Sequence, residues 1–154
     1  MSVNKFREEV AAGKRFKFGK NWEGFLGKLT DERIYISQSS LSDMLEETSL
    51  SGKSFLDVGS GSGLSSLAAR NLGANVTSFD FDESSVRCTF ELKNRYYPND
   101  ESWDVMQGSV LDSDFILQLG RFDIVYSWGV LHHTGRMWAA IDNCLNLVND
   151  GGKF

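Results

Sequence analysis

The chain has 154 residues, 41% hydrophobic and 24% charged, an ordinary globular composition and length enough for one domain with a buried core. A net charge of −5 argues against a general nucleic-acid binder, and no apolar stretch reaches the roughly 18 residues a membrane span needs. Two cysteines, Cys88 and Cys144, give no disulfide framework; both fall in expected helices as buried thiols, and the expected compartment is a reducing cytoplasm.

Residues 1–30 carry seven Lys and Arg against three Glu, a basic arm on an otherwise acidic chain. The simpler reading of that arm is a solvated face. Its aromatics Phe16, Phe18, Trp22 and Phe25 suit a short helix that caps a ligand site, or a mobile arm. A helix is predicted over Gln38–Glu47, with Leu41, Met44 and Leu45 on one side. Residues 1–48 then form an amino-terminal segment on a core of residues 49–154, together one domain. Strand one is Ser54–Val58. The next helix, Leu64–Leu72, carries Leu64, Leu67, Ala68 and Leu72 as one stripe. Strand two is Val76–Phe79, closed by Asp80. Asp82 can cap a helix that runs to about Tyr96 with Val86 and Phe90 inward, and Pro98 stops it. Strand three is Trp103–Gln107. A short helix over Ser113–Leu119 ends at Gly120, and strand four is Phe122–Tyr126. The last helix, Met137–Val148, points Trp138, Ile141, Leu145 and Val148 inward. Asn149–Gly152 reads as a turn, and Lys153–Phe154 as the start of a fifth strand.

This alternation predicts a three-layer, Rossmann-like α/β fold: a parallel sheet with helices on both faces. Its most informative stretch is FLDVGSGSG, Phe55–Gly63. An apolar strand runs into glycines at alternating positions 59, 61 and 63, and a helix follows at once. Such glycines let the backbone turn sharply and approach a ligand closely, and the helix start offers unpaired N–H groups. Asp80 lies roughly 20 positions further on, the place of a ribose-hydroxyl acceptor at the tip of strand two. In such a sheet the loops at the carboxyl ends converge on one crevice.

The spacing distinguishes cofactors. Dinucleotide folds use G-x-G-x-x-G, but position 64 is leucine, and the pattern present is D-x-G-x-G-x-G. Here the chain resembles the class I S-adenosylmethionine-dependent methyltransferases. Asp57, Gly59, Gly61 and Gly63 match their first motif, and Asp80 closing VTSFD matches their second. QGSVLD, Gln107–Asp112, is similar to the third, with Ser109 where an aspartate is common. FDIVYSWGVLHHTG, Phe122–Gly135, is similar to the fourth, and NDGGKF to the turn that follows.

The resemblance implies an enzyme that binds S-adenosyl-L-methionine and passes its methyl to a small-molecule acceptor. Gly59 and Gly61 would let the backbone meet the methionine portion, with Ser60 and Gly63 of the same loop also binding the cofactor. Asp57 would orient the loop or bind the amino group. Asp80 would take the ribose, Phe81 would pack on adenine, and Ser109 and Val110 would line its pocket. Ser127, Trp128 and Gly129 would border the methionine end. His132 and His133 are the candidate general bases, against the reading that they only shape their loop. No ligand set around them suits a metal. Relative to the family the chain looks truncated at strand five, which predicts strand four near an exposed edge and self-association through it. Two alternatives stand beside the leading reading: a non-catalytic fragment that binds the same cofactor, and a nicotinamide-dependent oxidoreductase. A nucleic-acid methyltransferase fits less well, because SWGV stands where such enzymes carry a D/N-P-P-Y/F tetrapeptide.

Overall fold

A computed structural model describes Gly24 and residues 26–154. The aromatic cluster of Phe16, Phe18, Trp22 and Phe25, and most of the basic arm, lie outside the described residues. In chain order the elements are α1 (Asp31–Leu45), β1 (Ser54–Val58), α2 (Leu64–Asn71), β2 (Asn75–Asp80), α3 (Glu83–Tyr96), β3 (Trp103–Gln107), α4 (Ser113–Leu119), β4 (Phe122–Tyr126), a 3₁₀ turn (Leu131–Thr134), α5 (Met137–Leu145) and β5 (Val148–Lys153). The five strands form one all-parallel sheet in the order β3-β2-β1-β4-β5. This is the Rossmann-like fold, with the strand order reversing direction between β1 and β4.

Two cores cover the two faces. On one, Ile34, Leu41 and Leu45 of α1, Leu67 and Ala68 of α2 and Cys88 and Leu92 of α3 pack on Phe55, Val76, Trp103 and Ile124. On the other, Ile116 of α4 with Ala140 and Cys144 of α5 pack on Leu56, Val58, Phe79 and Val125. Strands buried on both faces need near-continuous apolar sequence, and FLDV and FDIV supply it. Among the described residues, no helix is long and apolar enough to cross a membrane.

Several boundaries and faces differ from the sequence reading. Helix α1 begins seven residues earlier than predicted. Thr30 accepts the Arg33 N–H at 3.3 Å and Asp31 and Glu32 fill the first turn, a favourable helix start. Ile34, eleven residues before Leu45, extends the buried stripe upstream, while Met44 faces outward. In α3, Asp82 caps as expected, accepting the Ser85 N–H at 3.3 Å. Its inner face is Ser85, Cys88, Thr89 and Leu92, and Phe90 is 52% exposed. In α5 the buried residues are Ala140 and Cys144, while Trp138 and Leu145 are 73% and 50% exposed. Small side chains let a helix approach the sheet, and that closeness outweighs the area of a tryptophan.

The carboxyl terminus also differs from its sequence reading. Asn149–Gly152 is not a turn before a strand but the middle of β5. The register jumps from Phe122↔Val148 to Ile124↔Lys153, so the turn-forming residues make a bulge inside the strand. There Gly151 has φ +76°, and a Cβ on Gly152 would lie 2.8 Å from the Asp123 carbonyl oxygen. Consequently β4 is paired on both sides, and among the described residues the outer strands of the sheet are β3 and β5. At the amino ends, Asp123 ties three strands together. Its carboxylate accepts from the Ser54 N–H at 2.8 Å, the Ser54 hydroxyl at 2.9 Å and the Asn149 amide at 2.9 Å.

Candidate cofactor site

The glycine loop leaves β1 and folds back over the end of β2. Gly59 and Ser60 both donate their N–H to the Phe79 carbonyl, at 2.8 and 3.1 Å, and the Gly63 N–H closes the turn on Ser60 at 2.8 Å. Gly59, Gly61 and Gly63 have φ of +79°, +56° and +81°, the left-handed region that favours glycine. Space is as restrictive as torsion. A Cβ on Gly59 would lie 2.4 Å from Val130 Cγ1, and one on Gly63 would lie 2.9 Å from the Thr89 Cα in α3. Gly63→Ala is therefore expected to cost about 3 kcal/mol of stability from torsion and crowding together. Urea unfolding of the variant beside the parent protein measures it; an unchanged midpoint would contradict the crowding.

Asp80 is the hinge between loop and sheet. One carboxylate oxygen accepts the Gly61 N–H at 3.0 Å and the other the Asp82 N–H at 2.9 Å. Burial pushes its pKa up to about 6, although those backbone donors pull against the rise. Asp57 lies deeper, 3% exposed under the loop. It accepts the Ser66 hydroxyl at 2.5 Å. Burial, with a smaller contribution from the nearby Asp80 charge, raises its pKa to about 7.

The other predicted residues stand around this loop at the carboxyl ends of the strands. The Ser60 hydroxyl is spent inside the loop, 2.9 Å from the Thr89 hydroxyl. Phe81 follows Asp80 directly, and its carbonyl accepts from the Gln107 amide at 3.1 Å. The Ser109 hydroxyl accepts the Leu111 N–H at 3.2 Å. Val110, 6% exposed, is part of the second core, and its carbonyl accepts from Asn143. The Ser127 hydroxyl donates to the Val58 carbonyl at 3.0 Å, which ties the β4 loop to the root of the glycine loop. Trp128 is 71% exposed. His132 and His133 share the 3₁₀ turn, with ring centroids 3.8 Å apart. Burial and then the neighbouring His132 hold the His133 pKa below its usual value.

Sequence reasoning missed Thr89, which also donates to the Gly61 carbonyl at 3.3 Å. It missed Val130, which lies across Gly59, and Ser66. The short polar residues at 65, 66 and 89 sit at helical positions next to apolar ones, and only their orientation marks them. A polar cavity of about 340 Å³ lined by Glu47, Lys53, Asp123 and Lys153 lies at the opposite, amino-terminal end of the strands and plays no part in this crevice.

A glycine loop at the point where the strand order reverses, with an acidic residue closing the next strand, defines a Rossmann-like protein. More narrowly, the chain belongs to the methyltransferase domain family, whose profile matches residues 56–154. It is 30% identical to a ubiquinone biosynthesis O-methyltransferase of Coxiella burnetii over 148 residues, 96% of this chain and 60% of that protein. It is 32% identical to a ribosomal protein L11 methyltransferase of Helicobacter hepaticus over 118 residues, 69% of this chain and 36% of that protein. The chain thus spans somewhat over half the length of its Coxiella relative. Among solved structures, a proposed S-adenosyl-L-methionine-dependent methyltransferase from Methanococcus maripaludis superimposes with a TM-score of 0.71 at 17% identity, covering 90% of this chain and 63% of that one. Magnesium protoporphyrin IX methyltransferase from Synechocystis, with bound SAH, gives 0.63 at 21% identity, covering 75% of this chain and 52% of that one.

Proposed function

We propose that this chain is the cofactor-binding part of an S-adenosylmethionine-dependent methyltransferase that methylates a small molecule. The observation that carries the reading is Asp80. It closes β2 and holds the Gly61 N–H, so a ribose acceptor and a glycine loop form one wall. Each of its oxygens accepts one backbone N–H in the protein and keeps a lone pair for a ribose hydroxyl. Backbone free of Cβ at Gly61, with φ +56°, suits the methionine portion, while the absent Cβ of Gly59 makes room for Val130.

When bound, S-adenosylmethionine supplies a methyl on a sulfonium, already a good leaving group. The chain's task is to hold the acceptor in line and exclude water. In this reading Phe81 packs on adenine, Ser109 and Val110 line its pocket, and Ser127 and Trp128 border the methionine end. His132 or His133 takes the proton released by a hydroxyl or amine acceptor. The lowered pKa of His133 favours the neutral imidazole near pH 7, the form that accepts a proton. Two buried free thiols suit the cytoplasm. Self-association would pair an outer strand, β3 or β5, with a second copy. A small-molecule acceptor is favoured over a protein one because the Coxiella relative aligns along 96% of the chain and the Helicobacter relative along 69%.

Thermal unfolding tests the reading. S-adenosylmethionine and S-adenosylhomocysteine should raise the midpoint with concentration, and NAD should not. Stabilisation by NAD alone would return the chain to the oxidoreductases. In a methyl-transfer assay, alanine at the histidine that acts as base should lower kcat about 100-fold with S-adenosylhomocysteine affinity retained. No loss at either position leaves both histidines as loop-shaping residues.

A further inference from the structure

Beneath the glycine loop a line of polar side chains crosses the sheet inside the first core. The Trp103 indole N–H in β3 donates to the Ser78 hydroxyl of β2 at 2.9 Å. Ser78 donates to the Ser66 hydroxyl in the first turn of α2 at 2.7 Å. Ser66 donates to the Asp57 carboxylate of β1 at 2.5 Å. Trp103, Ser78 and Ser66 are fully buried, and Asp57 is 3% exposed. Register places Asp57 beside Ser78 on one side and Tyr126 on the other, while Trp103 pairs with Val76, two residues before Ser78 and so on the same face. Tyr126 meets the neighbouring Ser65 through a side-chain hydrogen bond.

The line has a fixed direction. The indole N–H at the Trp103 end can only donate, and with Asp57 in its charged form each serine accepts from one side and donates to the other. Chains of this kind polarise cooperatively. Burying so many polar groups is costly unless all are satisfied, and among the described residues no buried side-chain nitrogen or oxygen lacks a partner. An apolar row would serve packing equally well. What the polar row adds is geometry. Asp57 lies two residues before Gly59, and Ser66 lies three residues after Gly63. Their bond therefore clasps the loop at both feet, and Ser78 and Trp103 set the position and hydroxyl direction of that clasp.

We infer that Ser66, Ser78 and Trp103 are positioning residues for the cofactor loop, holding the Asp57–Ser66 clasp that fixes the loop's span. The inference rests on the proposed cofactor reading, so its test has a readout free of any ligand. Hydrogen exchange at amides 59–66 is followed in the protein alone, for the parent, Ser66→Ala, Trp103→Phe and a control, Leu45→Ala, whose side chain lies in the same core at the far end of α1. Affinity for S-adenosylhomocysteine is measured calorimetrically on the same samples. Exchange should quicken at 59–66 in Ser66→Ala and Trp103→Phe only, and their affinity should fall about tenfold. Unchanged exchange in both variants overturns the inference. So does faster exchange with unchanged affinity, and so does an equal affinity loss in Leu45→Ala. If the parent protein itself binds no S-adenosylhomocysteine, the cofactor reading fails and the exchange result alone decides whether the clasp holds the loop. Trp103→Phe keeps the aromatic packing, so a folding failure of Ser66→Ala leaves the second variant to decide.

Discussion

Asp80→Ala is expected to weaken S-adenosylhomocysteine binding at least about 100-fold and to abolish its thermal stabilisation. The substitution removes two kinds of interaction at once. In the free protein it releases the Gly61 and Asp82 N–H groups, which each oxygen now holds at 3.0 and 2.9 Å. In the complex it removes the proposed acceptor of the ribose hydroxyls. Hydrogen bonds to charged groups contribute about 1.5–3 kcal/mol each, so loss of the equivalent of two suffices for the stated factor. Asp80→Asn is the sharper companion. Its amide keeps one acceptor oxygen but turns a donor toward one of the two N–H groups, so it should lose most of the affinity despite equal size. Isothermal calorimetry decides the matter; parent-like binding by Asp80→Asn would mean the carboxylate is not in the ligand wall.

The second large effect is with pH. Affinity for S-adenosylmethionine should fall about 100-fold from pH 8 to pH 5.5. Burial raises Asp57 to about 7 and Asp80 to about 6. A ligand bearing a sulfonium and an ammonium favours both carboxylates in their charged forms. Binding below pH 7 therefore releases protons, and the calorimetric heat should vary with the ionisation enthalpy of the buffer. A flat affinity across the range would remove both groups from the ligand's field. Folding stability responds in the opposite sense. The folded chain keeps protons on Asp57 and Asp80 that the unfolded chain has released, so their contribution declines as pH rises from about 4 toward 7. Glu47, Asp100 and Asp123 work the other way. Hydrogen bonds from Lys53, from Arg70 and from the Ser54 backbone, respectively, hold their pKa values low. Their stabilisation is present above the ordinary carboxylate range and is lost as pH falls through those lowered values.

The legibility of the fold in sequence varies from element to element. Strands β1 to β4 and helices α2 and α4 fall where periodicity and glycines predict them, because buried parallel strands and short amphipathic helices leave strong local patterns. The start of α1 was hidden by a weak apolar stripe, although Thr30 with Asp31 and Glu32 was a usable signal. The inner faces of α3 and α5 were not legible. Both helices carry two apolar stripes, and the choice between Phe90 and Cys88, or between Trp138 and Ala140, depends on how closely the helix must approach the sheet. The bulge in β5 reads as a turn in sequence, since Asn149, Asp150, Gly151 and Gly152 have turn chemistry wherever they stand. Only pairing with β4 keeps them in a strand.

By itself the chain determined its alternating order of strands and helices, its glycine loop and the acidic residue closing β2. Each is written in neighbouring residues, where torsional preference and hydrophobic period act. What only the folded molecule decided is which distant groups meet: Thr89 against Gly63, Val130 over Gly59, and Trp103 through Ser78 and Ser66 to Asp57. Those contacts follow from strand register and helix rotation, which are settled by packing across the whole sheet and leave no mark in any single stretch of sequence.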